Sequence, residues 1–352
     1  MERTCISLRI RMAFMAIKRT NAPFLLFLLI LILGACTPTP MKAGKPIREA
    51  TIEDSTFITA DNHSLPLRVW PAKPNPVRAV VVALHGFNDY SNAFTELGEY
   101  LAAHHHVTTY AYDQRGFGGA GKRGTWAGDD TYVSDLRTFC HLVRLRHPGV
   151  PVYVLGESMG GAIAMVAFTS EHPPEADGVI LSAPAVWSRP TMPWYQRLAL
   201  FLGARLIPWA SFTGEGIDVT PSDNRDMLIA LGRDPQVIKA TKVGAMYGLT
   251  NLMDAAMGSA DKFNAESLIL IGDRDEIVPN HASAVMLEHL PFSARSQQTV
   301  AVYPNGYHML WRDLDGQVVM DDIGAWIENH HDSLPSGEDK IDLSTWVQDN
   351  LP

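Results

Sequence analysis

The residues with the clearest capacity for chemistry are Gly156-Glu157-Ser158-Met159-Gly160, with another glycine at Gly161. An apolar run, residues 152–155, leads into them, and the helix-forming residues 162–168 follow. A strand, a G-x-S-x-G turn and a helix together form the setting of a nucleophile elbow. The serine occupies a strained turn, so Gly156 and Gly160, two before and two after it, must be small. At the helix amino terminus the amide of Met159 then faces an oxygen that gains negative charge when Ser158 attacks a carbonyl.

A second donor to that oxygen is expected from the loop after an earlier strand. The apolar run Ala79–Leu84 enters His85-Gly86-Phe87-Asn88-Asp89, and the His-Gly pair lets the chain turn sharply and offer the Phe87 amide. Loss of one such donor costs about a hundred- to thousandfold in rate. His85 itself reads as a buried histidine that orders the loop. Further along, residues 268–271 end in Gly272-Asp273-Arg274-Asp275-Glu276, which crowds three carboxylates at one strand end. Asp275, in G-x-x-D, is the expected acid, with Asp273 and Glu276 as alternatives and ion pairing to Arg274 as the non-catalytic reading. No acid lies in residues 181–187, after the preceding strand. Pro304-Asn305-Gly306-Tyr307-His308 then places a histidine on a loop before the last long helix. His308 can take the Ser158 proton as general base while a carboxylate fixes its tautomer.

The elements needed to position these groups are legible as short apolar runs: Ala79–Leu84, Val107–Tyr112, and residues 152–155, 179–181, 268–271 and 300–303. Continuous rather than alternating, they suit strands buried on both faces. Helical stretches such as 131–146 and 160–170 lie between them, so the expected class is α/β, a mostly parallel doubly wound sheet. The rhythm breaks at residues 186–262, which read as a helical cap inserted between core strands. Within the cap, the apolar stretch 194–212 is expected to pack on the body and line a pocket, with a lid that meets lipid as the alternative reading. The expected organisation is 1–35 signal peptide, 36–50 tether, 51–185 first part of the core, 186–262 cap, 263–332 second part of the core and 333–352 C-terminal tail, with a short helix at 343–351.

The 352 residues are 46% hydrophobic and 19% charged, which excludes a disordered chain or a small disulfide scaffold. Net charge is −9, and residues 36–352 hold 24 basic against 37 acidic side chains. Nucleic acid is therefore not an expected partner. Of three cysteines, Cys140 lies among Leu136, Phe139 and Leu142 and reads as a core residue. Consecutive His104, His105 and His106 point in different directions, so no metal is expected. The run Gly116–Gly121 lacks the spacing of a dinucleotide fingerprint, and no organic cofactor is expected. Nothing in the sequence sets an oligomeric state.

Residues 24–33, FLLFLLILIL, follow Arg11, Lys18 and Arg19, a basic segment and an apolar one too short to span a bilayer. Leu33-Gly34-Ala35-Cys36 then resembles the lipobox of bacterial lipoproteins. That resemblance implies lipidation of Cys36 and attachment to a membrane. Thr37, where an aspartate would signal inner-membrane retention, implies the periplasmic face of the outer membrane.

Together, His85-Gly86, Tyr112-Asp113-Gln114-Arg115-Gly116-Phe117-Gly118, Gly156–Gly161, Gly272–Pro279 and Gly306-Tyr307-His308-Met309-Leu310 resemble the α/β-hydrolase superfamily. Within it they are similar to the monoacylglycerol lipase and lysophospholipase-like, serine aminopeptidase S33-type, branch. The resemblance spans roughly residues 80–315. It implies a cofactor-independent serine hydrolase of carboxylic esters, of single-chain lipids in particular, working through an acyl-enzyme on Ser158. A peptidase or thioesterase of the same fold, or a non-catalytic envelope lipoprotein, is the alternative. It also implies that Asp113 and Arg115 pair to brace their loop, and that Asp234-Pro235-Gln236-Val237 opens a cap helix.

Overall fold

A computed structural model describes residues 38–72, 76–214, 216 and 219–351. Cys36 and the apolar run 24–33 lie outside the described residues.

Strands β1 (Thr51–Glu53), β2 (Thr56–Ile58) and β3 (Ser64–Trp70) form an antiparallel meander. β3 adds antiparallel to β5 (Val107–Tyr112). From there the sheet is parallel, through β4 (Ala79–Leu84), β6 (Val152–Glu157), β7 (Gly178–Ser182), β10 (Ser267–Gly272) and β11 (Gln298–Tyr303). The order is β1-β2-β3-β5-β4-β6-β7-β10-β11. Leu84 pairs with Gly156 and Gly272 with Tyr303, so the loops expected to carry chemistry leave one edge of the sheet.

Strand side chains alternate between two buried layers. Val80, Val82 and Leu84 join one apolar cluster, whereas Val81 and Ala83 join the other. Helices α1 (Thr95–His104) and α8 (Gly316–Glu328) cover the second face, with Leu97, Leu101, Ile323 and Trp326 fully buried. On the first face lie α2 (Asp129–Arg146), α3 (Met159–Phe168), α7 (Asn280–His289) and α9 (Leu343–Asn350). Cys140 is a free thiol in that core, its pKa pushed up by burial.

Between β7 and β10 come α4 (Trp194–Leu206), β8 (Ser211–Thr213), α5 (Arg225–Arg233), β9 (Ala240–Lys242) and α6 (Val243–Ser259). α6 packs on α3, and α4 packs on α6. β8 and β9 pair as a small antiparallel ribbon that the sequence reading lacks.

Several expectations need correction. Asp113 and Arg115 do not pair. Asp113 accepts from the Ser91 amide and hydroxyl and from the Gly119 amide, while Arg115 binds Asp61 (2.7 and 2.8 Å) and Asp135 (2.6 and 3.0 Å). Both residues brace the loop, each to a separate partner. Asp234 follows the last residue of α5 instead of opening a helix. It accepts from the Tyr90 hydroxyl and from the Gln236 amide in a turn. The described part of the expected tether lies on the body: Met41 donates to the Trp126 carbonyl, and Ile47 to that of Ala60. The expected tail is anchored too, since α9 packs on α7 and the Trp346 indole donates to Asp273. In α4 the apolar stripe faces outward rather than lining a pocket. Gly203 and buried Ala204 bring the helix close to α6, leaving Trp194, Tyr195, Leu198 and Phe201 exposed.

Candidate active site

The elbow is built from close contacts that only glycine permits. A Cβ on Gly156 would lie 2.4 Å from the Gly160 carbonyl oxygen, and one on Gly160 would lie 2.1 Å from that of Leu84. Ser158 between them has φ of 52°, in the left-handed region that ordinary residues avoid. Its amide donates to the Ser182 carbonyl of the neighbouring strand, and its own carbonyl accepts from Ala162 and Ala185. This framework holds the serine at the amino terminus of α3 against the cost of the strained turn. Met159 is the first residue of α3, and the amide at that position has no intrahelical acceptor.

The loop after β4 runs against Ser158. A Cβ on Gly86 would sit 3.5 Å from the Ser158 Cβ, in ordinary contact, so Phe87 follows at the elbow's flank. His85 orders this loop. It is fully buried, donates from Nδ1 to the Gly86 carbonyl and accepts at Nε2 from the Gln114 amide. Burial holds its pKa below the ordinary histidine value, in keeping with the neutral tautomer those bonds require.

At the end of β10 the three carboxylates separate cleanly. Asp275 Oδ1 accepts from the amides of Ile277 and Val278, which fixes the side chain, and Oδ2 accepts from His308 Nδ1 at 2.7 Å. Asp273 turns to Asn280 and Trp346, and Glu276 accepts from the Thr220 amide. Arg274 donates to Asn305 rather than to any of them. The structure thus joins His308 to Asp275. With Nδ1 committed as a donor, Nε2 is left as the basic nitrogen. Burial works against the imidazolium, but Asp275 and Glu157 outweigh it and hold the His308 pKa above its ordinary value.

A second buried cluster, absent from the sequence reading, ties these loops together. Arg312 donates to Asp89 (2.8 Å) and to Glu157 (2.7 Å), and all three are buried. Asp89 closes the loop that carries Phe87, Glu157 precedes Ser158, and Arg312 lies four residues after His308. One guanidinium therefore links the three segments. Asp313 adds local order by accepting from the Tyr307 amide, and burial raises its pKa to about 6. The nearest sequence signal for the cluster was a charged residue at the variable position of G-x-S-x-G. Among the described residues no group of three or more His, Cys, Asp or Glu side chains is placed to hold a metal.

Parallel sheet, strained serine elbow and a histidine–aspartate pair at the same sheet edge define an α/β-hydrolase. Residues 75–315 match the family described as serine aminopeptidase, S33, and the chain belongs to that family. It is 30% identical over 275 residues to a monoacylglycerol lipase of Mycolicibacterium smegmatis, covering 74% of this chain and 92% of that one. It is 26% identical over 277 residues to a human monoglyceride lipase, covering 77% and 89%. Among solved structures, a monoacylglycerol lipase of Paleococcus ferrophilus superposes with a TM-score of 0.62 at 25% identity, covering 76% of this chain and 99% of that one.

Proposed function

We propose that this carboxylester hydrolase cleaves single-chain lipids, monoacylglycerols or lysophospholipids, through an acyl-enzyme on Ser158. The observation that carries the reading is the Asp275–His308 pair, held to the serine elbow through the adjoining Arg312–Glu157 bond. Ser158 Oγ attacks the acyl carbonyl and gives its proton to His308 Nε2. The amides of Phe87 and Met159 receive the oxyanion, and His308 returns the proton to the departing glycerol or glycerophosphate oxygen. Water, deprotonated by His308, then releases the fatty acid and restores the serine. Asp275 orients the imidazole and stabilises its charged form. No step needs a cofactor. The choice of single-chain lipids is supported by the monoacylglycerol and monoglyceride lipases among the relatives.

The reading includes an address. The basic segment, the run 24–33 and Leu33-Gly34-Ala35-Cys36 support removal of residues 1–35, lipidation of Cys36 and residence on the periplasmic face of the outer membrane. The test is hydrolysis of a panel of p-nitrophenyl esters of rising chain length, monoacylglycerols, lysophospholipids, an acyl thioester and an aminoacyl amide. Long single-chain lipids should be turned over, and Ser158→Ala should abolish that turnover and labelling by a fluorophosphonate while the protein stays folded. Activity on the amide or thioester alone would overturn the lipid assignment. Absence of both activity and labelling would point to a binding lipoprotein.

A further inference from the structure

The turn that follows His85 is fixed at its base and held by the cap at its tip. At the base, His85 is locked by the Gln114 amide, and Asp89 by Arg312. The Asp89 amide closes the turn on the Gly86 carbonyl at 3.3 Å, with Phe87 and Asn88 between them. Asn88 has φ of 67°, the left-handed backbone that a type II turn needs at its third position and that asparagine tolerates better than most residues. The Gly86 carbonyl and the Phe87 amide belong to one planar peptide and point in opposite directions. Whatever holds that carbonyl therefore aims that amide. Two donors hold it: His85 Nδ1 at 2.8 Å and, through the turn, the Asp89 amide. The longer of the two bonds depends on the conformation of Asn88.

Asn88 in turn is tied to the cap. Its carbonyl accepts from the Ile238 amide at 2.9 Å, and its side-chain amide donates to the Thr241 hydroxyl oxygen at 2.6 Å. Just beyond it, the Tyr90 hydroxyl donates to Asp234 at 2.6 Å. Residues 234–241 thus form an arm laid over the turn. Arg123 donates to the Gln236 carbonyl at 2.9 Å, which seats the arm on the loop after β5 as well. Thr241 lies in β9, which pairs with β8 and leads directly into α6. Asn88 and Thr241 are 153 residues apart, so only the folded cap supplies this tie.

We propose that Asn88 is a positioning residue for ester hydrolysis: held by Ile238 and Thr241, it keeps the turn closed and the Phe87 amide aimed at the oxyanion, so that seating of the cap arm sets the strength of oxyanion binding. The inference rests on the acyl-enzyme reading above.

Thr241→Val removes the acceptor with little change of shape and touches neither Ser158, His308 nor Asp275. Its kcat for a p-nitrophenyl ester should fall about ten- to hundredfold with KM little changed. Thr241→Ser, which restores the hydroxyl, should recover the rate. Asn88→Gly keeps the left-handed backbone without the side chain and should fall by a similar factor. The double variant Asn88→Gly/Thr241→Val should fall no further, because both changes remove one bond. The signature of the oxyanion is the preference for the ester over its thiono counterpart, whose sulfur is a weak acceptor. In Thr241→Val the loss should be confined to the oxygen ester and narrow that preference by the same factor. A parental kcat in Thr241→Val would overturn the proposal, and so would an equal loss on both esters, which marks general damage to the fold. Ser158→Ala separates the two readings. Turnover that survives it refutes the acyl-enzyme, whereas an inactive Ser158→Ala beside an unaffected Thr241→Val refutes the cap tie alone.

Discussion

Replacing Arg312 with methionine removes the guanidinium shared by Asp89 and Glu157 but keeps most of the side chain's apolar volume. Both carboxylates are buried, at 6% and 1% exposure, and Arg312 itself is 7% exposed. Removing one partner of a buried ion pair typically costs about 3–5 kcal/mol, because the group left behind can neither reach water nor find a counter-charge. With two carboxylates abandoned, the upper part of that range is expected. In a domain of this size it corresponds to a fall in melting temperature of about 10 °C. Activity should fall as well, since the same bonds connect the segments carrying Phe87, Ser158 and His308. The assay is urea denaturation followed by circular dichroism, alongside turnover of a soluble ester. The decisive comparison adds Asp89→Asn and Glu157→Gln to the methionine variant. If uncompensated charge is the cause, the triple variant is clearly more stable than the single one. A single variant within 1 kcal/mol of the parent (on the order of a surface substitution), or a triple variant no better than the single, would refute the reasoning.

Asp275→Asn keeps an acceptor for the Ile277 and Val278 amides but loses the carboxylate that fixes the His308 tautomer, so kcat should drop about 10⁴-fold. Asp273→Asn, by contrast, should stay near the parental rate, and the reverse ranking would move the acid to Asp273. Because His308 must be neutral to accept a proton and its pKa is raised, the acidic limb of kcat/KM should lie above the ordinary histidine value of about 6.5. Glu157 helps to raise it, so Glu157→Gln should shift that limb to lower pH; a limb that stays in place contradicts the assigned field. Gly160→Ala would drive a methyl group into the Leu84 carbonyl, which cannot move without disturbing β4, and loss of folded protein is expected on thermal melts. Gly258→Ala in α6 has open space around it and serves as the stable control.

Much of this architecture follows from local chemistry. The runs at Ala79–Leu84 and Val107–Tyr112 became β4 and β5 with the expected ends. A buried parallel strand has to be apolar on both sides, and turn residues stop it abruptly. The helix expected over 131–146 begins two residues earlier, at Asp129, and the one expected over 343–351 ends one residue earlier, at Asn350. The meander β1–β3 and the β8–β9 ribbon were harder to see. Most of these strands are only three residues long, and β8 is fully exposed, so neither a buried run nor a clear alternation announces them.

The sequence by itself determined the elbow turn, its glycines and the apolar runs of the parallel core, because each depends on neighbours within a few residues; it marked His308 and a choice of three carboxylates, and the fold joined His308 to Asp275 across 33 residues. The tertiary structure decided which charges meet. Arg312 finds Asp89 and Glu157 across 223 and 155 residues, and Arg115 chooses Asp61 and Asp135 over nearby Asp113. It also decided that α4 turns its small residues inward and that the chain from Pro38 lies along the body. A periodic pattern marks a helix as two-sided. Which side is buried depends on how closely the next helix can approach, and Gly203 and Ala204 allow α6 closer than Trp194 or Phe201 would.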